Sequence, residues 1–385
     1  MDVSILLSIA LILLVAKLFG EVAERLKVSS LVGEVLAGII LGPVLMWVTP
    51  SPLLGQIANF GILFLLFLIG LETSSEQFKK EIYTGSYIAI AGCGLSFVFG
   101  FAVGMFMFNS VIIGIFLGFA ILSTSTAITM RSLIDIGEFK TRISNMALSI
   151  DIADEVIAIL SLSLLTAFLT YGTVRIWEAI ALFFAILGFF LVIITVGSKF
   201  IGRCLRVFQT LRDEQIIVAI SLVIVFVVAF ASENVGIAGV TGAFLAGMAM
   251  SRSHLTEPII IPKMKIIGYG FFIPLFFAYS AILMDLNALF TSTVLIIILV
   301  ILGLIAKLIG TGFFSSLFGF SRKEQLILGL SMLPRGEYSI LIAQIALGAS
   351  ILSKELYTVI IAFVLITVIL TPILLKLAKA KGFKY

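Results

Sequence analysis

Apolar runs of about twenty residues, the length a helix needs to cross a bilayer, recur from one end of this sequence to the other. With no water in the hydrocarbon core, a segment crossing it must satisfy its backbone hydrogen bonds internally, as a helix does. The chain therefore reads as an all-α polytopic membrane protein. Its composition agrees: 61% of the 385 residues are hydrophobic and only 12% charged. Average soluble chains hold roughly 45–50% apolar and 25% charged residues. No soluble globular protein has this balance, and no nucleic-acid partner is expected.

Thirteen spans are expected, at 3–20, 30–48, 56–72, 85–108, 111–131, 144–170, 177–202, 214–232, 236–251, 264–284, 289–315, 324–347 and 355–375. The short loops between them leave no room for a soluble domain. The first run, VSILLSIALILLVAKLFG, follows an acidic start without a basic leader region or small-residue cleavage site, so it reads as a retained span and not a signal peptide. The basic residues test the map, because cytoplasmic loops carry an excess of them. With the N-terminus outside, only Arg175 and Lys354 of the 25 lysines and arginines fall in outside segments, and only Lys307 and Arg335 sit deep in spans. All others lie at cytoplasmic loops or in the tail KLAKAKGFKY. Cys93 and Cys204 are far apart in or beside apolar spans, which argues against a disulfide framework or a metal site. His254 reads as a solvated loop residue.

The fifth span contains STSTAIT, Ser123 to Thr129, and the twelfth contains MLPRGEYS, with Pro334 and Gly336 at mid-span. Runs of small hydroxyl residues and proline–glycine pairs are both poor material for a continuous helix. The two interruptions lie seven spans apart, an odd offset, so the halves holding them would be inverted relative to each other. Inverted repeats with paired broken helices at the midplane are an architecture of secondary transporters.

The stretch SIDIADEVIAIL, Ser149 to Leu160, places Asp151, Asp154 and Glu155 in a segment otherwise fit for lipid. A carboxylate at the bilayer centre costs at least about 2.5–3.5 kcal/mol on insertion scales and by default marks function. On a helix, Asp151 is an i,i+3 neighbour of Asp154 and an i,i+4 neighbour of Glu155. Acids this close in low dielectric cannot all be ionised unless a cation is present, which makes the cluster a candidate for exchanging protons against a cation. The competing reading is a structural set neutralised by Lys307 and Arg335 through buried ion pairs, and Asp151, nearest the cytoplasmic end, fits either. Lys307, in LVILGLIAKLIGTGFF, is too deep to snorkel and calls for an acidic partner. Arg335 and Glu337 flank Gly336 at the second break and suit a structural role, either neutralising half-helix dipoles or pairing with acids elsewhere. Glu34 reads as a cap or a pair at a helix contact.

The stretches GEVLAGIILGP (33–43), GILFLLFLIGLE (61–72), GAFLAGMAMS (242–251), PLFFAYSAILMDL (274–286) and MLPRGE (332–337) resemble signature blocks of the second monovalent cation:proton antiporter family, which holds sodium/proton and Kef-type antiporters. The resemblance runs in order over essentially the whole chain. It implies a fold of about 13 helices with two crossing broken helices beside a paired-acid motif. It also implies a core domain near 56–170 and 264–347, and dimerisation helices near 1–48, 177–251 and 355–375. By motif, Ser125 and Thr126 become broken-helix ligands, Asp154 and Glu155 the ion and proton site, and Lys307 the lysine that pairs with the first acid. Electrogenic members carry two aspartates where this chain has Asp154 and Glu155, and Asp151 is additional.

The activity expected is exchange of Na⁺ or Li⁺ for protons, which compete at Asp154 and Glu155, in a homodimer of the cell membrane. The ions are substrates and no cofactor is expected. Potassium/proton exchange of the Kef type is the alternative. Kef-type proteins usually have glutamine at the first acid position and a cytosolic nucleotide-binding domain, whereas this chain has Asp154 and ends ten residues after its last span. A cation channel sharing the chemistry ranks below a carrier, because inverted broken helices around a closed site favour alternating access. An organic-anion symporter sits badly with an acidic core. An intramembrane protease would place its two acids on separate helices.

Overall fold

The computed structural model describes residues 3–26, 28–72, 82–138, 141–171, 184, 188–189, 191–209, 214–234, 238–251, 253 and 255–380. His254, Arg175 and, within the span expected at 177–202, residues 177–183, 185–187 and 190 lie outside the described residues. Every regular element described is helical: α1 (Val3–Arg25), α2 (Ser30–Ile39), α3 (Pro52–Glu72), α4 (Ile82–Phe108), α5 (Val111–Ala120), α6 (Thr126–Asp135), α7 (Arg142–Tyr171), α8 (Ser198–Gln209), α9 (Glu214–Asn234) and α10 (Gly239–Met250). They are followed by α11 (Ile261–Ile267), α12 (Ile273–Ile282), α13 (Leu286–Thr291), α14 (Thr293–Lys307), α15 (Arg322–Ser331), α16 (Glu337–Gly348) and α17 (Lys354–Ala380). Among the described residues, seven helices are long and apolar enough to cross a membrane, and shorter apolar helices accompany them, α5, α10 and α16 included.

The interruptions fall where the sequence places them. The expected span 111–131 divides into α5 and α6, with non-helical backbone from Ile121 to Ser125. The expected span 324–347 divides into α15 and α16 around Pro334, which has no N–H to continue a helix. Among the described residues four further expected spans widen locally, at Ile40–Val44, Ile193–Gly197, Gly268–Phe272 and Leu308–Gly312. The 264–284 span widens into a turn at Gly268–Phe272 between α11 and α12, just before Pro274, whose missing N–H leaves the Gly270 carbonyl without its i+4 donor. The 289–315 span widens at Leu308–Gly312, immediately after Lys307, a kind of local expansion common at functional sites.

The helices gather into two compact units. The first comprises residues 1–16, 49–77 and 159–279. Within it α3 and α10 lie backbone to backbone: a side chain at Gly70 would strike the Phe244 carbonyl, and one at Gly247 would strike that of Phe67. Small residues that let backbones approach are the usual basis of helix association in membranes. Phe64 stacks on Phe272 with centroids 4.7 Å apart.

The second unit comprises residues 17–48, 78–158 and 280–385. Its apolar core joins α4, α6, α7, α15 and α17 through Ile88, Leu133, Ile150, Leu328 and Leu375. A capping box starts α15, where the Ser321 hydroxyl accepts from the Glu324 amide and the Glu324 carboxylate accepts from the Ser321 amide. At the end of α17, Lys379 donates to the carbonyl of Ile136. The three acids of α7, both helix breaks, Lys307 and Arg335 all belong to this unit.

Candidate functional site

Asp154 accepts from three side chains of the second unit. Its side chain and that of Lys307 are both completely buried, and the lysine Nζ donates to Asp154 Oδ2 at 2.9 Å. Thr124 Oγ1 donates to the same oxygen at 2.8 Å, and the Cys93 thiol donates to Oδ1 at 3.0 Å. Three donors fill the hydrogen-bonding positions of this buried carboxylate, the condition under which a buried ion pair is tolerated. Lys307 ends α14, and the widened turn behind it places the ammonium at α7. The lysine expected to pair with the first acid does so.

The remaining acids of the cluster differ. Glu155, 6% exposed, accepts from Thr126 Oγ1 at 3.0 Å, so it sits at the first residue of α6. A carboxylate at a helix N-terminus is favoured by the helix dipole, by about 0.3–1 kcal/mol in ordinary settings. Asp151 is fully buried, and neither of its oxygens has a hydrogen-bond partner.

The two breaks cross in contact. The Ser125 amide donates to the Pro334 carbonyl at 2.9 Å. Thr129 Oγ1 donates to the Ser331 carbonyl at 2.8 Å, and the Thr124 hydroxyl also lies 3.2 Å from the Met332 carbonyl. Thr124 thus touches both Asp154 and the opposite break. Ser125, expected as an ion ligand, uses its amide on Pro334 and its hydroxyl on Glu337 Oε2, at 3.4 Å. Gly336 is required at the crossing, because a Cβ there would stand 2.7 Å from that of Ser125.

Arg335 reaches across to the first break. Buried completely, it donates through Nη1 to the carbonyls of Ser123 (3.1 Å) and Leu122 (3.4 Å), and through Nη2 to Ser96 Oγ (3.4 Å). These carbonyls follow the C-terminal end of α5, where the helix dipole is negative and a cation is stabilising. Glu337 lies in the first turn of α16, at the opposite pole. Glu34 pairs with Lys17 at 3.3 Å.

Among the described residues, the buried side-chain atoms lacking a hydrogen-bond partner are both Asp151 oxygens, Ser123 Oγ, Thr311 Oγ1, Arg335 Nε, Tyr338 OH and Ser339 Oγ. Each belongs to a break, to the first turn of α16, to the acidic face of α7 or to the turn after Lys307. Buried polar groups are otherwise almost always paired, so their concentration marks a polar centre inside an apolar unit. Its carboxylate, hydroxyl and carbonyl oxygens suit a hard monovalent cation. Among the described residues no three His, Cys, Asp or Glu side chains are grouped as a metal centre. In this state Asp154 is closed by the lysine.

Two contributors were not anticipated from sequence. Thr124 stands inside the STSTAIT run, one residue before the expected ligands, so its neighbourhood was marked but not its identity. Cys93 carries no sequence signal for its contact with Asp154.

Interrupted helices in contact at their breaks, with a buried acid–lysine pair beside the crossing, define a helical secondary ion transporter. The chain belongs to the transmembrane sodium/hydrogen exchanger family, whose profile matches residues 10–378. It is 33% identical over 388 aligned positions to the Na⁺/H⁺-K⁺ antiporter GerN of Bacillus cereus, covering 100% of this chain and 99% of that protein. It is 26% identical to an Na⁺/H⁺ antiporter of Enterococcus hirae, covering 96% of each. The solved structure of the sodium proton antiporter MjNhaP1 of Methanocaldococcus jannaschii superposes with a TM-score of 0.75 at 15% identity, over 98% of this chain and 99% of that one. The resemblance read from the five signature blocks and the all-helical antiporter fold are both borne out.

Proposed function

We propose that this chain is a secondary active sodium (or lithium)/proton antiporter in which the cation and protons compete at Asp154 and Glu155. The observation that carries the reading is the buried Asp154–Lys307 pair at 2.9 Å, set beside two crossing helix breaks. The lysine ammonium occupies the charge position that a transported cation would take. A cation entering the site displaces Lys307 from Asp154 and takes oxygens from Asp154, Glu155 and the broken helix near Ser125 and Thr126, while protons leave to the same side. Because the site holds either load, one cycle of alternating exposure couples opposite fluxes. If Lys307 releases its own proton, two protons exchange for one cation and the cycle is electrogenic; otherwise the exchange is one for one.

In this reading residues near 56–170 and 264–347 form the moving ion-binding core. Those near 1–48, 177–251 and 355–375 form the dimerisation scaffold of a homodimer in the plasma membrane, N-terminus outside and C-terminus in the cytoplasm. Na⁺ and H⁺ are substrates, and the cycle uses no cofactor.

The test is a proteoliposome assay with an inside-acid pH gradient and a pH-reporting dye, into which Na⁺, Li⁺ or K⁺ is added. Dequenching by Na⁺ and Li⁺ that both Asp154→Asn and Glu155→Gln lose is the expected result. The printed name of the Bacillus cereus relative includes potassium, so a response to K⁺ alone would move the reading to potassium/proton exchange at the same site. Full activity in the combined Asp154→Asn and Glu155→Gln variant would overturn the site.

A further inference from the structure

We propose that Asp151 and Glu155, one turn apart on α7, form a second carboxylate position where the monovalent cation lands before it reaches Asp154. This inference rests on the antiport reading above and names the ligands of its first step.

The three acids are unequally prepared to receive an ion. Both oxygens of Asp154 already accept hydrogen bonds, from Lys307, Thr124 and Cys93. Asp151 is 0% exposed and neither of its oxygens accepts any. A carboxyl kept for structure would be hydrogen-bonded, because an unpaired buried polar group is costly. An ionisable group within a membrane span is by default a functional one, and two open carboxylate oxygens are ligands that a cation can take.

Geometry narrows that partner. Residues four apart on a helix face the same side, with Cβ atoms about 5–6 Å apart, a span that one cation can bridge through two carboxylate arms. Asp151 interacts electrostatically with Asp154, Glu155, Lys307 and Glu337. Three of the four are acidic, and the one cation, Lys307, donates to Asp154. An arriving monovalent cation therefore supplies the positive charge that Asp151 lacks, without first breaking the Asp154–Lys307 pair. Held one turn away, it then competes with the ammonium for Asp154 at short range.

The test measures cation binding as well as transport, on the full-length protein. Purified protein in detergent is melted with increasing NaCl or LiCl against choline chloride, and the same preparations are assayed in proteoliposomes. Asp151→Asn, a neutral isostere, is expected to fold with an ion-free Tm at or above that of the parent. Its Na⁺-dependent rise in Tm and its half-saturating Na⁺ for proton release are both expected to need at least about tenfold more Na⁺, the scale of one lost charge-assisted ligand. Asp151→Glu is expected to recover most of the affinity, and Asp151→Ser to behave as Asp151→Asn does. Parental Na⁺ dependence of both Tm and transport in folded Asp151→Asn or Asp151→Ser would overturn this inference. Should Asp154→Asn still abolish transport in that case, the antiport reading stands and only the landing position falls; transport by Asp154→Asn would remove the reading beneath both.

Discussion

The amide of Ser125 donates to the carbonyl of Pro334 at 2.9 Å, so the two interrupted helices are tied backbone to backbone at their breaks. Each break exposes amides and carbonyls that a continuous helix would satisfy, in surroundings without bulk water to replace those bonds. Crossing lets each interruption supply part of what the other lacks. The Thr129 and Thr124 hydroxyls extend the arrangement to the Ser331 and Met332 carbonyls.

That contact makes Gly336 a sensitive position. An alanine Cβ there would lie 2.7 Å from Ser125 Cβ and 2.8 Å from its Oγ. Forcing extra volume into a packed site costs about 1–3 kcal/mol. Gly336→Ala is therefore expected to lower Tm and slow transport. Adding Ser125→Gly, which removes the obstructing side chain, should restore much of the Tm. A double variant no more stable than Gly336→Ala alone would show that the glycine matters for some other reason.

Lys307 and Asp154 should behave as one unit in stability. Removing one member of a buried pair leaves an uncompensated charge and costs about 3–5 kcal/mol, whereas neutralising both is often nearly neutral. Lys307→Met is thus expected to lower Tm strongly, and Lys307→Met with Asp154→Asn to bring it back toward the parent while transport stays lost. Lys307→Gln also tests coupling: transport with unchanged voltage sensitivity in that variant would sink the electrogenic version of the cycle.

Much of this site was legible in the sequence because bilayer physics makes charge and helix breakage conspicuous. Asp154, Glu155 and Lys307 stood out as ionisable groups in apolar spans, and Pro334 and the STSTAIT run stood out as interruptions. What stayed hidden follows from the same physics. The backbone from Ile121 to Ser125 is not helical, so no periodicity could say that Thr124, and not Ser125, reaches Asp154. A cysteine in an apolar helix reads as a small core residue, which concealed the Cys93 thiol on Asp154 Oδ1. Sequence left Arg335 open between acids and helix ends; its guanidinium takes the carbonyls of Leu122 and Ser123 from the other break.

The donors on Asp154 can be separated by substitution. Thr124 Oγ1 at 2.8 Å is the shorter contact, and the Cys93 thiol is the weaker kind of donor. A hydrogen bond to a charged group contributes about 1.5–3 kcal/mol and one of ordinary strength about 0.5–1.5. Thr124→Val is expected to alter half-saturating Na⁺ more than Cys93→Ala does, with Thr124→Ser and Cys93→Ser staying near the parent. Equal effects of Thr124→Val and Cys93→Ala on Na⁺-dependent proton release would mean that the two donors are equivalent at Asp154.

Arg335 gives the last prediction, because its charge and its shape do different things. The charge sits at the negative end of the α5 dipole, a role any cation fills in part. The shape matters more: one planar guanidinium reaches the Leu122 and Ser123 carbonyls through Nη1 and Ser96 Oγ through Nη2. A lysine ammonium is a point charge on a flexible stem and cannot reproduce that fork. Arg335→Lys is therefore expected to retain the fold with a lowered Tm. Arg335→Met, which leaves two carbonyls and a hydroxyl without their donor, should lose more, by about 1–3 kcal/mol for each group left unsatisfied. Since, among the described residues, the Arg335 guanidinium donates to Leu122, Ser123 and Ser96 and not to an acid, Arg335→Lys should change the transport rate with little change in half-saturating Na⁺, measured by dye dequenching over a Na⁺ series. A large rise in half-saturating Na⁺ at an unchanged maximal rate would instead place Arg335 among the groups that set ion affinity.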